Sequence, residues 1–559
     1  MNNRDQRIAV IGSGISGLTA AYLLSQKGHN VTLFEREKEI GMDAHGVSGI
    51  CGNSNDVRVD VPLRVFSRAY YPNLVKMLKH IGMQIIDADY SFSCSGFARG
   101  ESGEEETQPD TPLFGYKRFG WFVTPDWSAF SPGFAAAFDS AHLLVQLVCL
   151  LVRAESYLRN GDAAGKTLGE FLSSQGFSER FKAALFYPMF SIVCTCSYSS
   201  VDKYPASVAL EYFARHGVLN WPWAKTCQCR VRGGVRCIAQ TLAKHVPQIH
   251  LGVKIRGVFT TTKAQVDANS RTMKDNATSG KPVVAYEVAP SDGDDSGSQR
   301  QRHVWEAFDH VIVATQAHQA LEILLSPPQD ELETEPVKHN MAADDRVEQI
   351  PRLNAYKNAL GHFKYERSRV VVHCDPRLMP SSRRQWAPLN ILVPGVSAPT
   401  STANSSAMPM CSVWMTRIDD RVSPNVYQTW NPIIEPQGMT FADGHFDRPV
   451  MSLGTLKCLA ELDELQGKCG IHFVGAYALH AVPLLESGVR SAMRAVTRVD
   501  ANCQIPWEDS DCSSQVRKKE ESNLSKTVAI GSFPWSMKVI LGIAAAGFAY
   551  AQTQAMRQK

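Results

Sequence analysis

The stretch RIAVIGSGISGLTAAYLLSQKGHNVTLFE, residues 7–35, constrains the fold more than any other part of the chain. Ile8 to Ile11 is apolar without interruption, as a parallel strand buried on both faces requires. Gly12, Gly14 and Gly17 follow with G-x-G-x-x-G spacing. Gly12 permits a tight turn, Gly14 lets backbone approach a pyrophosphate, and Gly17 lets the ensuing helix pack close to the strand. Ser13, Ile15 and Ser16 lie between these glycines and are candidate contacts with them, because the helix N-terminus supplies free N–H groups and a positive dipole end. Lys27 and Gly28 suit the helix end, a cation in the last turn before a positive-φ cap. The strand Val31 to Phe34 then delivers Glu35, eighteen residues past Gly17. A carboxylate there accepts both ribose hydroxyls and repels a 2′-phosphate, although Arg36 next to it weakens that exclusion. The glycines alone are a weak signal. With strand, helix and acid in place they predict a dinucleotide site and leave FAD and NAD both open.

The rest of the composition narrows the partners. Basic and acidic residues nearly balance, 58 against 55, and no basic run is interleaved with aromatics, so a nucleic-acid surface has no footprint. Fourteen cysteines in 559 residues, with no signal-peptide pattern at the N-terminus, predict a reducing, intracellular setting rather than a disulfide scaffold. The pairs Cys194/Cys196 and Cys227/Cys229 are spaced C-x-C and stand outside any zinc-type frame, so no metal is expected. Residues 539–555 form an uncharged run that is short for a spanning helix, which takes about 20 residues. A C-terminal membrane helix or an amphipathic segment both fit it. The apolar stretch 140–158 ends in charges after about a dozen residues and reads as a buried helix.

Low-complexity, small-polar segments at 99–111, 261–280, 291–302, 326–348 and 396–408 mark surface insertions. Helical and strand-like stretches alternate between them, which predicts an α/β chain. Near its end, HFVGAY is a short strand closing on Gly475 and Ala476, and residues 486–499 place Val489, Met493 and Val496 on one helical face.

These segments together resemble the flavin-dependent amine oxidase and phytoene desaturase superfamily. The resemblance is carried by EREKEIGMDAHG after the acid, by RVDVPLRVFSRAYYPNLVKMLKHIGM, by TLGEFLSSQGFSERFKAALFYPMF and the residues after it, by VRGGVRCIAQTLAKHV, by FDHVIVATQAHQAL and by GIHFVGAYALHAVPLLESGVRSAMRAV. It implies FAD as cofactor, with Gly41 in the phosphate loop, backbone at Ile255 bracketing the adenine, and Gly475, Ala476 and Gly488 at the flavin. It also implies that the final helix points its N-terminus at the flavin pyrimidine, where its dipole favours an anionic reduced ring. Four positions depart from the family's pattern: Met42 and Gln316 replace glycines, Pro62-Leu63-Arg64 replaces the usual glycine before the flavin-facing strand, and Ser487-Gly488 replaces an acid–glycine pair.

The expected architecture is an α/β Rossmann-like FAD-binding domain with a mixed α+β substrate domain. The FAD-binding parts are placed at 1–70, 226–325 and 451–505, and a mainly helical substrate part at 71–225 with a second substrate part at 326–450. A linker at 506–536 precedes the apolar tail at 537–555. The expected reaction moves a hydride from a small or lipophilic organic substrate to flavin N5, with oxygen or another acceptor reoxidising it. Tyr477 and His480 follow the closing Gly-Ala and are the candidate catalytic side chains, against a structural or surface role for each. Arg64 is a candidate anchor for an anionic substrate, with a salt bridge as the alternative reading, and His45 belongs to the phosphate-loop region. The aromatic stretch 115–127 is either a substrate wall or core. A redox-neutral double-bond isomerase, an NAD-dependent reductase and a non-catalytic membrane-tethered flavoprotein remain as alternatives.

Overall fold

The computed structural model describes residues 5–42, 44–50, 57–97, 111–119, 122–125, 134–216, 228–260, 273–274, 281–288, 302–325, 349–394, 408–423 and 425–508. The apolar tail at 537–555 lies outside them. Among the described residues no helix is long and apolar enough to cross a membrane. The side chains of the aromatic stretch 115–127 also lie outside the described residues.

The opening motif folds as its pattern requires. β1 (Arg7–Ile11) leads through the glycine turn into α1 (Ile15–Gln26), and β2 (Asn30–Phe34) returns parallel to β1. Ten consecutive residues of α1, Ile15 to Leu24, are buried. It is a helix enclosed on all sides, packed between the sheet and the helix Leu485–Val499. The parallel sheet runs Gln248–His250, β2, β1, His310–Val313, Ile471–Phe473. Three distant stretches of chain therefore complete one sheet, and they enter it on opposite sides of β1. In open parallel sheets, ligands bind at the carboxyl ends of the strands where the order reverses. Here that point is the β1–α1 turn.

A four-stranded sheet of Lys254–Thr260, Pro282–Val288, Arg302–Ala307 and Met273–Lys274 is inserted between the third and fourth of these parallel strands in sequence. The other large layer is an eight-stranded sheet, in the order Thr440–Val450, Lys364–His373, Tyr427–Trp430, Met410–Trp414, Leu389–Pro394, Phe92–Phe97, Thr111–Phe119, Phe122–Pro125. The last three strands arise within 71–225, a segment expected to be mainly helical. All six residues of Phe92–Phe97 are buried in a sheet built largely from residues 364–450, a tertiary partnership that local pattern cannot reveal.

The helical part of 71–225 covers the same sheet. The helix Phe134–Arg159 buries Leu143, Leu147, Leu150, Leu151, Ala154 and Tyr157, as expected of the apolar run at 140–158. Phe177, Phe181, Phe186 and Phe190 stack successively, with centroids 5.3, 5.6 and 6.2 Å apart. A π-helical turn over Lys182–Phe186 adds the extra residue that keeps these rings in line. One continuous apolar core joins α1, these aromatics and the inner side of the eight-stranded sheet.

Candidate functional site

The site begins at Gly12. Its φ of +102° suits glycine alone, its N–H donates to the Phe34 carbonyl at 2.8 Å, and a Cβ would sit 3.0 Å from the Ala314 oxygen. Gly17 is more constrained, because a Cβ there would lie 1.9 Å from the Gly12 oxygen. Gly14 differs in kind, since a Cβ would meet nothing within 4 Å. Its lack of a side chain leaves an open cradle in front of α1. No side chain caps the α1 N-terminus, so its first N–H groups and dipole face that opening. An uncapped buried helix end next to a side-chain-free cradle fits the phosphates of a dinucleotide.

Glu35 lies at the carboxyl end of β2, beside this opening. It is buried, its Oε2 accepts from the Ser13 N–H at 2.8 Å and the Ser13 hydroxyl at 2.5 Å, and its Oε1 accepts from the Glu37 N–H at 2.9 Å. The Ser13 hydroxyl oxygen in turn accepts from the Gly41 N–H at 2.6 Å. Gly41 approaches so closely that a Cβ would be 2.9 Å from Glu35 Oε2. The close backbone approach of the phosphate loop thus falls on Gly41, and Met42 beside it packs against the main core. Arg36 is exposed and pairs with Glu37 at 3.2 Å. Ile255 is brought to the same end: the Glu35 N–H donates to His250 O at 2.8 Å, the Val253 N–H donates to Glu35 O at 2.9 Å, and the strand bulges between Ile255 and Gly257.

The closing segment packs directly on this loop. A Cβ on Gly488 would be 2.8 Å from Ile15 Cγ2 and 2.9 Å from Ser16 Oγ, so the helix Leu485–Val499 meets the first turn of α1 through this glycine. Two helix N-termini therefore converge on one place, and neither has a side-chain cap. The Gly475 N–H donates to Ser491 Oγ at 3.0 Å, which ties the end of the last parallel strand to the same helix. Ala476 is partly buried beside it. Tyr477 turns into a second core cluster, edge-on to Phe363 at 4.9 Å, with its hydroxyl buried and without a hydrogen-bond partner. Burial pushes that phenol well above the usual tyrosine range. His480 is exposed on the loop before the closing helix. The structure separates these two side chains rather than joining them in one constellation.

Two contributors escape sequence reasoning. Glu486, in the first turn of the closing helix, is buried and accepts from the Asn73 N–H at 3.2 Å, Asn73 Nδ2 at 2.7 Å and the Leu74 N–H at 2.9 Å. It caps α2 (Pro72–His80) from 413 residues away in sequence. Gln428 accepts from the Leu63 N–H at 2.7 Å and donates to Asp60 O at 2.9 Å, fixing the segment 60–64 against the eight-stranded sheet. Only the tertiary fold pairs either residue with its partner.

Residues 10–81 match the NAD(P)-binding Rossmann-like domain family. Wild-type putrescine oxidase bound to putrescine superposes with a TM-score of 0.51 at 12% identity, over 89% of this chain and 99% of that one. Cyclohexylamine oxidase from Brevibacterium oxydans IH-35A gives a TM-score of 0.50 at 12% identity, over 89% and 98%. The chain has the fold of these oxidases. Among curated proteins, the carotenoid phi-ring synthase of Streptomyces griseus is 36% identical over 74 residues, 13% of this chain and 14% of that protein. Protoporphyrinogen oxidase 2 of Arabidopsis thaliana is 53% identical over 36 residues, 6% of this chain and 7% of that protein. The alignments thus span only a small part of the relatives' length.

Proposed function

We propose that the chain is an FAD-dependent oxidoreductase of the amine oxidase and desaturase type, acting on a small or lipophilic organic molecule. The observation that carries this reading is the meeting of two uncapped helix N-termini at Gly488, Ile15 and Ser16, in a fold shared with two amine-named oxidases. A single dinucleotide-binding turn uses one such helix end; a second, presented by the helix Leu485–Val499, suits a longer cofactor whose ring lies beyond the phosphates. When bound, the flavin supplies a hydride acceptor at N5, and oxygen or another acceptor restores it.

The chain's own residues then have separable tasks. Glu35, held by Ser13 and the Glu37 N–H, would accept from the adenosine ribose. Gly14 and the first turn of α1 hold phosphate. The closing helix offers its dipole to negative charge, and the apolar core around Phe186, Phe190 and Tyr212 excludes water from the substrate side.

The test is spectroscopic. The purified chain, reconstituted with FAD where needed, is expected to show flavin absorption near roughly 370 and 450 nm and to bleach at the longer wavelength on anaerobic photoreduction. Absence of any bands after reconstitution would overturn the proposal, and binding of NADH in their place would favour the reductase. Product formed without net acceptor consumption would assign the flavin to isomerisation instead.

A further inference from the structure

The period-two alternation of the strands sorts the long sheet into two faces. In register, Glu366 lies opposite Arg448, Ser368 opposite Phe446, Val370 opposite Trp430 and Val372 opposite Gln428, so these residues share one face. Several contacts of that face tie it to neighbouring segments. Gln428 holds residues 60–64, Phe446 meets the phosphate-loop residue His45 edge-on at 5.2 Å, and Ser368 donates to Thr195 O at 3.2 Å. The other face carries Arg369, bonded outward to Asp443 and Glu435. The inner face is therefore packed toward the phosphate loop and segment 60–64.

Two arginines meet where segment 60–64 approaches this face. Arg448 lies over the Trp430 ring at 5.3 Å, and its Nε is buried without a hydrogen-bond partner. Arg64, on segment 60–64, is close enough for its charge to act on Arg448, and burial together with that repulsion drives the Arg448 pKa down to about 9. Burial lowers Arg64 as well, against partial support from Asp60 and Tyr71. Among the described residues neither arginine forms an ion pair. The nearby acids are engaged elsewhere: the Asp60 carboxylate accepts from the Val235 N–H at 3.1 Å, and Glu366 accepts from the Ser197 N–H at 2.6 Å, the Ser197 hydroxyl at 3.0 Å and the Ser200 hydroxyl. Interior cations elsewhere are paired, as Arg230 is with Asp419 at 3.0 Å.

We infer that Arg64 and Arg448 together bind a carboxylate-bearing organic ligand, so that the substrate chamber selects an anion and rejects a protonated amine. The inference rests on the FAD reading above, which makes this region the substrate side. Two unpaired like charges in a desolvated space are costly, and a planar carboxylate offset by two guanidinium forks relieves both. Trp430 and Tyr71 supply aromatic walls for the ligand's apolar body. Arg448 also lies near the cofactor end, since the Gln316 side chain donates to the neighbouring Asp447 O at 3.0 Å. The same anion chemistry could thus come from the dinucleotide phosphates, and the experiment separates the two sources.

Benzoate, its neutral isostere benzamide and protonated benzylamine are titrated into the flavin-loaded protein at fixed ionic strength, with the flavin difference spectrum and apparent Tm as readouts. Benzoate is expected to bind roughly 10- to 100-fold more tightly than either analogue. Arg64→Met and Arg448→Met are each expected to remove that preference, to keep the FAD-to-protein ratio, and to leave the ligand-free Tm unchanged or higher, because an unpaired buried charge is gone. Arg448→Lys restores part of the preference. Equal binding of the three probes overturns the inference, and so does loss of FAD from the Met variants with benzoate selectivity intact, which would give the pair to the cofactor phosphates. If the chain holds no flavin at all, the Tm response of the flavin-free protein to benzoate still reads the arginine pair, so failure of the two proposals is distinguishable.

Discussion

Gly488→Ala puts the convergence of the two helix ends under direct strain. The added methyl would lie 2.8 Å from Ile15 Cγ2 and 2.9 Å from Ser16 Oγ, where carbon contacts prefer about 3.5–4.0 Å. Both neighbours are buried, at 8% and 5% exposure, and neither has free space to retreat into. The first turn of α1 must therefore move by roughly 1 Å relative to the closing helix, an overpacking cost of about 1–3 kcal/mol. The apparent Tm should fall by about 2–10 °C. Because the displaced turn is the one proposed to meet phosphate, FAD retention should fall more than stability does, by roughly 10-fold or more in affinity. Differential scanning fluorimetry and the ratio of 450 nm to 280 nm absorbance check the two effects separately. Ile15→Ala removes the closer obstacle, so the double variant should recover part of the FAD content. Gly488→Ala protein with unchanged Tm and a full complement of FAD would refute the packing argument.

Three further outcomes follow from the same geometry. Glu486→Ala removes three hydrogen bonds at the α2 N-terminus and should destabilise by about 2–4 kcal/mol, with Glu486→Gln in between; chemical denaturation monitored by circular dichroism checks it. Glu35→Ala should weaken FAD binding roughly 10- to 100-fold, measured by flavin fluorescence quenching, and the loss should be shared by ADP-ribose but not by FMN. His472, 1% exposed, is held neutral down to about 3 by burial, then by His310 and Arg498. Its folded pKa lies below the unfolded value near 6.5, so the unfolded chain takes up a proton that the folded chain refuses. Stability is full above about pH 6.5 and declines by about 1.4 kcal/mol per unit as pH falls toward 3. His472→Gln should flatten that part of a Tm-against-pH curve.

How far the sequence reveals this molecule depends on whether a feature is local. The β1–α1–β2 unit is legible because each requirement falls within 29 residues: an apolar run, three glycines and one acid at fixed distances. In the loop after the acid, Gly41 is legible too and makes the close approach to Ser13 and Glu35, while Met42, which replaces the second glycine, fills a core position. Gly488 was legible as a site residue but for a different contact, since its missing side chain admits Ile15 and Ser16. Tyr477 shows the limit of proximity in sequence: two residues after a glycine that closes a strand, it faces Phe363 on the other side of the sheet. Phe92–Phe97, Glu486 and Gln428 were not legible at all, because each acquires its meaning from a partner roughly 300 or more residues away.

The same distinction bears on what the structural neighbours can teach. At 12% identity the likeness is one of fold, and it leaves the lining of any ligand site free to differ. Putrescine is an alkyl diamine and carries positive charge at neutral pH. A chamber that presents Arg64 and Arg448 without carboxylate partners would repel such a cation over several ångströms, in surroundings where water screens poorly. Fold likeness and charge therefore point in different directions at this one place. Charge decides which ligand can enter a desolvated space, because neither backbone topology nor an apolar wall can offset two unpaired cations facing a third.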